Sequence, residues 1–401
     1  MSINGTTSTR TDSESCRALA DRTGTNARDW YPVFKARYGM SVVFETVRDQ
    51  RSKGSVVTQL FTCCTAVDPI VSAGLDPVYA DIDRHTISID ADRLDLDAVP
   101  APRAVMLQHT FGLIDTASST TLAAKAHDAG ALVMEDCAHC VGRMARDERG
   151  LPLADVSIHS FGVEKMLPTR FGGAVWINPR LAATDPALDR EIRSRLAALP
   201  VPGRRLDLVT KLYVNENRVF SRLGGLGGSL RNAFTGFGWY EPPIAQVERQ
   251  GRLAYPPFAP TVWIDAKAAS ALRRLDENEE SRRRIVDVYR RRLADVPSLE
   301  IPSAAVAEPN QPLLRFPLFA VDTATADRLI DVVRAAGGYA ERWYRPELFP
   351  GVTDERAYGL DRLDRTTVTV SDELVDRALC LPTELDERRA ESICDALLAA
   401  V

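Results

Sequence analysis

Lysine is scarce in this chain. Only six occur (Lys35, Lys53, Lys125, Lys165, Lys211 and Lys267) beside 44 arginines, so arginine is the default cation and each lysine needs a reason of its own. A basic excess is also missing: net charge is -5 and the pI is near 5.7, which removes the electrostatic footprint expected for nucleic acid or an anionic membrane surface. No apolar run approaches the length of a membrane span, and "MSINGTTSTRTDSESCR" at the amino terminus lacks the apolar core of a signal peptide. Seven cysteines, odd in number and scattered, do not form a disulfide framework and read as reduced thiols of the cytoplasm. Internal repeats and low-complexity tracts are absent as well.

What remains is a 401-residue chain of ordinary globular composition, long enough for a large domain and a smaller one. The polar residues 1–27 are expected to be a disordered tail. Over 55–178, β-branched runs ("SVVTQLF", "PVYADI", "RAVMLQH", "ALVMED", "VSIHSFG", "GAVWIN") alternate with helical text ("TAVDPIVSAG", "SSTTLAAKAHDAG"). That alternation predicts an α/β fold with a mostly parallel sheet, whose ligands sit beyond the carboxyl ends of the strands. Residues 28–265 are expected to form the large domain, with 180–260 an irregular insertion. Its glycines ("LGGLGGSLRNAFTGFG") follow no strand and so do not read as a phosphate loop. Residues 264–296 read as one long helix, its arginine triplets mixed with acids on a solvated face. The text from 266 onward predicts this linking helix and a smaller C-terminal α/β domain.

Two stretches carry chemistry. In "ALVMEDCAHCVG" a buried-type strand ends in Glu135 and Asp136, followed by Cys137, His139 and Cys140. Asp136 is open to three readings: a helix cap, an acid aimed into the ligand crevice, or a neighbour of a CxxC redox or metal pair. Structural zinc needs a second ligand pair, and the sequence supplies none, so no metal is assigned. In "SIHSFGVEKMLPTRFGGAV", Lys165 stands just past a strand in otherwise small and apolar text, with Gly172 and Gly173 opening the next strand. A pyridoxal phosphate enzyme needs a lysine for the aldehyde, an acid for the pyridine nitrogen and donors for the phosphate. Lys165, Asp136 and Ser160 stand in that order of elements, with His139 one helical turn past the acid. Gly39, Met40 and Ser41, read as the head of a helix in "ARYGMSVVFETV", offer a further anion site.

The order of these stretches resembles the DegT/StrS-type sugar aminotransferases, pyridoxal-phosphate enzymes of fold type I. "DPIVSAGLDPVYADID" is similar to that family's helix-glycine-strand stretch, and "VMLQHTFG", which contains His109, to its "PVHLYG" stretch. "EDCAHCVG" is similar to its E-D-x-A-[HQ] motif, and "SFGVEKMLPTRFGGAVWIN" to S-F-x-x-x-K followed by G-G-A. "ERWYRPEL", with Arg342, Tyr344 and Arg345, resembles its Y-x-P stretch, and "LCLPTELDERRAESICDAL" its closing helix. The resemblance implies a large domain with a mostly parallel sheet of the seven-stranded type, Lys165 as the cofactor-bearing lysine and Asp136 as partner of the ring nitrogen. It further implies His139 as a ring contact and Ser160 as a phosphate ligand. The reaction it implies takes an amino group from glutamate or glutamine to the keto group of a nucleotide-linked sugar, as in cell-surface polysaccharide or secondary-metabolite biosynthesis, in a homodimer. Arg342 and Arg345 are candidates for the donor's carboxylate; His109 and Tyr344 are further substrate-binding candidates. The sequence departs from the family where Cys63 stands at the place of a ring-stacking aromatic. Met40 and Ser41 replace the phosphate-loop threonine, Pro260, Thr261 and Val262 replace the partner's N-Y-R motif, and 180–260 has no counterpart. Other pyridoxal-phosphate chemistry, a cofactor- or sugar-nucleotide-binding protein without turnover, and a CxxC redox protein stand as alternatives.

Overall fold

The computed structural model describes residues 13–401. A seven-stranded sheet forms its centre, in the order β1 (Trp30–Val33), β7 (Gly173–Ile177), β6 (Val156–Ser160), β5 (Leu132–Asp136), β4 (Pro102–Gln108), β2 (Ser55–Gln59), β3 (Asp76–Ala80). The strands from β6 to β3 pair in parallel, and β7 is antiparallel to both of its neighbours. The helices α2 (Ala36–Arg51), α3 (Cys64–Ser72) and α4 (Thr116–Asp128) cover the sheet. This is why β2, β5 and β7 read as continuous apolar runs: each is buried at every position. One apolar cluster joins Val43, Val47 and Ile70 of α2 and α3 to Met134 and Ile158. A second, on the other face, joins Leu122 and Ala126 of α4 to Val133 and Val105.

Helix α2 lies very close to the sheet. A Cβ on Gly39 would stand 2.8 Å from Val175 Cγ2, and one on Gly173 would stand 2.8 Å from the Cβ of Ala36. Glycine at these positions seats the helix on β7, and the paired glycines serve helix packing as well as ligand approach.

The amino-terminal tail is corrected by the structure. From Ser13 the chain is ordered: α1 (Glu14–Thr23) is capped by the Ser13 hydroxyl and closed by Gly24 at φ 62°. Ser13 and Ser15 hydroxyls donate to Asp265 Oδ1 at 2.7 and 2.5 Å, and Cys16, Leu19 and Ala20 enter the core. The expectation for residues 1–12 lies outside the described residues. The irregular insertion is corrected too. The helices α5 (Leu181–Thr184), α6 (Pro186–Ala197), α7 (Arg204–Arg222) and α8 (Gly225–Gly236) occupy most of it, and the glycine-rich text is itself helical. Leu206, Val209, Tyr213 and Phe220 form the buried stripe of α7, and Leu206, Tyr213 and Phe220 share a cluster with Phe34 and Phe171.

The long helix predicted over 264–296 is two helices, α9 (Val262–Leu272) and α10 (Leu275–Leu293), broken at Arg273 and Arg274. Beyond them α11 (Ser303–Val306), β8 (Arg315–Phe319), α12 (Thr323–Ala335), α13 (Thr369–Arg377), β9 (Ala378–Pro382) and α14 (Glu387–Leu398) build the C-terminal layer around the antiparallel β8–β9 pair. Arg282 of α10 is buried and binds Leu314 O at 3.1 Å and Thr383 Oγ1 at 2.6 Å, fixing this layer to the linking helix. Among the described residues no helix is long and apolar enough to cross a membrane.

Candidate active site

The register β4–β5–β6 aligns Gln108 with Asp136 and Asp136 with Ile158, so the carboxyl ends of three parallel strands deliver Gln108, His109, Asp136 and Ser160 to one edge. A cleft of about 230 Å³ opens there. The first turn of α2, the head of α3, the loop carrying Lys165 and the segment 343–349 close around it.

Lys165 lines this cleft, half-buried, with its amine 5.9 Å from the centre of the Trp343 ring. Burial lowers its pKa, against the pull of Cys63, Asp136 and Glu164. Asp136 lines the same cleft and is buried. It accepts one hydrogen bond, from the Ala138 N–H at 2.9 Å, and burial raises its pKa. The two make no ion pair with each other: the amine and the carboxylate act on each other's charge across a shared space without direct contact.

His139 is held flat. The Phe111 N–H donates to its Nδ1 at 3.0 Å, which leaves the proton of a neutral ring on Nε2, 3.1 Å from the Tyr344 hydroxyl. Burial, with the charges of Lys165 and Arg315, lowers its pKa well below the usual value and keeps the ring neutral. Trp343 lies nearly parallel to it at 5.6 Å and Tyr344 at 6.2 Å, and all three rings line the cleft. This aromatic group was not legible as a unit: nothing in the spacing ties His139 to Trp343, some two hundred residues away.

Cys63, at the place of the family aromatic, is the N-cap of α3 and faces the cleft. A hydrogen bond with Cys64 lowers its pKa to about 6; Lys165 and the Thr65 hydroxyl, 3.0 Å from the sulfur, act in the same direction against burial. Ser160 also lines the cleft and accepts from the Gly162 N–H at 3.3 Å.

Four placements differ from the sequence reading. Gly39, Met40 and Ser41 are not the head of α2, which begins at Ala36. The Gly39 N–H is already donated to Lys35 O at 3.2 Å, and Ser41 is buried with its hydroxyl 3.1 Å from that of Ser72. Only Met40 of the three lines the cleft; residues 35–37 form the wall in their place. Arg342 and Arg345 do not reach the cleft either. Both bind Asp327 Oδ1 of α12, at 2.9 and 2.7 Å. His109 touches the cleft, but its Nε2 is held by Glu135 at 2.8 Å. Cys137 and Cys140 are fully buried, which closes them to exchange with a partner's thiol. The structure adds His109 to them: one ligand atom from each lies within 4.8 Å of the others.

Sequence reading missed Lys35, Arg37 and Arg170 as cleft residues. Lys35 pairs with Glu241 at 2.5 Å and Arg37 with the buried Glu248 at 2.8 Å, both acids belonging to the segment after α8. The scarcity of lysine that singles out Lys165 applies equally to Lys35.

The DegT/DnrJ/EryC1/StrS aminotransferase family pattern matches residues 42–198 and 266–398. The chain is 29% identical over 148 residues to spore coat polysaccharide biosynthesis protein SpsC of Bacillus subtilis, a match covering 37% of this chain and 35% of that protein. It is 23% identical over 335 residues to dTDP-4-amino-4,6-dideoxy-D-glucose transaminase of Shigella dysenteriae, covering 82% of this chain and 74% of that one. Thus the match spans about a third of the first relative and about three quarters of the second. The fold superposes on NtdA of Bacillus subtilis, solved with bound cofactor PMP. The TM-score there is 0.66 at 13% identity, covering 96% of this chain and 77% of the other.

Proposed function

The chain belongs to the DegT/DnrJ/EryC1/StrS aminotransferase family, and we propose that it is a pyridoxal-phosphate aminotransferase acting on the keto group of a nucleotide-linked sugar, with glutamate or glutamine as amino donor. The observation that carries this reading is the pair Lys165 and Asp136: two desolvated, oppositely charged groups sharing one cleft without pairing. A flat cationic ring that accepts the lysine at its aldehyde and gives an N–H to the aspartate fits that donor set. When bound, the cofactor supplies the electron sink that makes the carbon bearing the amino group acidic.

The chain's own residues then have definite tasks. Lys165 Nζ would hold the cofactor at its aldehyde, and as a free amine it can carry a proton; burial lowers its pKa. The Asp136 carboxylate accepts the ring N–H and is stabilised in its charged form by doing so. His139, neutral and fixed by Phe111 and Tyr344, lays a flat surface on the cleft wall where an aromatic is missing at Cys63. The Ser160 hydroxyl and the first turn of α2 are the phosphate donors. Similarity to a dTDP-sugar transaminase and to a spore coat polysaccharide biosynthesis protein supports the substrate class.

A homodimer fits the surface. Leu208, Leu226, Phe237 and Trp239 stand exposed on and just beyond α7 and α8, an apolar face that a second copy would cover. The direct test of function is the absorbance of the cofactor-loaded protein. Its violet band is expected to disappear on adding glutamate or glutamine and return with the keto sugar nucleotide. A band unchanged by every amino donor removes transamination.

A further inference from the structure

We propose that Arg170, backed by Lys267, forms the subsite for the diphosphate of the nucleotide-linked substrate. The inference rests on the aminotransferase reading and names residues for the end of the substrate away from the chemistry. Among the described residues, four Lys and Arg side chains line the cleft, Lys35, Arg37, Lys165 and Arg170, and the His109 ring beside them is held by Glu135. Lys35 is committed to Glu241 and Arg37 to Glu248. Lys165 is the reacting amine. Arg170 has neither an ion pair nor a side-chain hydrogen bond among the described residues, so its guanidinium is available to a ligand.

Its backbone adds to the case. Arg170 sits at φ 73°, in the left-handed region that favours glycine, five residues past Lys165. A long side chain kept in such a conformation is disfavoured and persists where its surroundings or its task hold it.

Lys267 of α9, which does not itself line the cleft, supplies a second charge beside Arg170. Its Nζ lies 3.4 Å from the carbonyl of Thr169, the residue before Arg170, and 4.9 Å from the centre of the Trp263 ring, and it too has no carboxylate partner among the described residues. Burial and then the charge of Arg170 lower the pKa of Lys267, which reflects two cations close together with no acid between them. Two such neighbours repel until an anion relieves them, and a diphosphate brings more negative charge and more acceptor oxygens to the pair than a single α-carboxylate does. The position suits the task. The neighbouring Phe171, also in the cleft lining, packs on Tyr213 of α7, which belongs to the region 199–265 that the family pattern skips.

The test titrates the cofactor-loaded enzyme with dTDP and with UDP by calorimetry. Wild type is expected to bind, and Arg170→Ala to weaken binding about 10- to 100-fold, the range for losing hydrogen bonds to a charged group. Lys267→Ala should weaken it less, by about 3- to 10-fold. Arg170→Gly separates binding from folding. Glycine accepts the positive φ, so its melting temperature should equal or exceed that of wild type while nucleotide affinity falls as in Arg170→Ala. Unchanged nucleotide affinity in Arg170→Gly, or no nucleotide binding by wild type, overturns the proposal. So does a slowed glutamate step with nucleotide affinity intact, which would assign Arg170 to the donor's carboxylate. If glutamate leaves the wild-type band unchanged while nucleotide binding depends on Arg170, transamination fails and the diphosphate subsite stands.

Discussion

Glu135 and Asp136 are adjacent carboxylates at the end of one strand, and they live in opposite electrostatic worlds. Alternation along β5 turns Asp136 toward the side of Met134 and the cleft, and Glu135 toward the side of Val133. Glu135 accepts from His109 at 2.8 Å, from the Ala145 N–H at 2.5 Å and from the Ser157 hydroxyl. Burial alone would raise its pKa, but His109, Ser157 and Ala145 together hold it below the ordinary value. His109 is correspondingly raised: burial pulls its pKa down, and the negative charge of Cys140 and the hydrogen bond and charge of Glu135 outweigh it. Asp136, one residue on, has a single hydrogen bond and is pushed up by burial. One acid is satisfied by the protein and holds the strand ends together. The other keeps only the Ala138 N–H, and a buried carboxylate facing a cleft with so few partners has acceptor capacity left for a ligand.

Substitutions can break this contrast. The largest effect is expected from Glu135→Ala, which strips His109, Ser157 and Ala145 of their shared acceptor and leaves a buried imidazolium alone. Denaturant melts should show a loss of about 3–5 kcal/mol, while the fraction that folds keeps its cofactor band. Asp136→Asn should do the reverse. Stability should hold or rise, since a desolvated acid is removed, while turnover falls by about 10²–10³-fold because the ring N–H loses its charged acceptor. If both variants lose stability and activity alike, the two acids are not different in kind.

A third buried acid sharpens the comparison. Both carboxylate oxygens of Asp68 on α3 lack a hydrogen-bond partner, and burial, together with the charge of Glu248, pushes its pKa up to about 8. The unfolded chain ionises this group near pH 4, so between about pH 4 and pH 8 the folded state binds more protons and stability falls as pH rises. Relative to Asp68→Asn, wild type should therefore lose about 3–4 kcal/mol between pH 5 and pH 8. Parallel melts of the two proteins at both pH values check this; equal slopes would place Asp68 with Glu135 among the satisfied acids.

The same contrast explains which parts of the site were legible in the sequence. The strand ends were readable because local rules govern them: β-branched runs mark the strands, "EDCAH" and "SFGVEK" mark the turns that leave them, and parallel pairing brings Asp136, Ser160 and Lys165 to one edge. The cleft walls depend on contacts far apart in the chain. Trp343 meets His139, Lys35 meets Glu241, and Tyr213 of α7 packs on Phe171, with no spacing that announces any of them. Two misses were avoidable. Ser13 and Gly24 are ordinary start and stop signals for α1, overlooked because the surrounding text is polar. Helix α7 shows an apolar stripe that the glycines of α8 obscured. Arg342 and Arg345 illustrate the opposite error: a motif match placed them near the site, while Asp327 on a neighbouring helix claims both.

We propose Lys165 as the amine that takes the cofactor, with Asp136 as the acceptor for its ring nitrogen. Borohydride reduction of the cofactor-loaded protein, followed by peptide mass spectrometry, tests it directly. A single pyridoxyl adduct on Lys165, lost in Lys165→Ala and not transferred to Lys35, is the result expected. An adduct on Lys35 or another lysine, or no adduct with a full complement of bound cofactor, contradicts it.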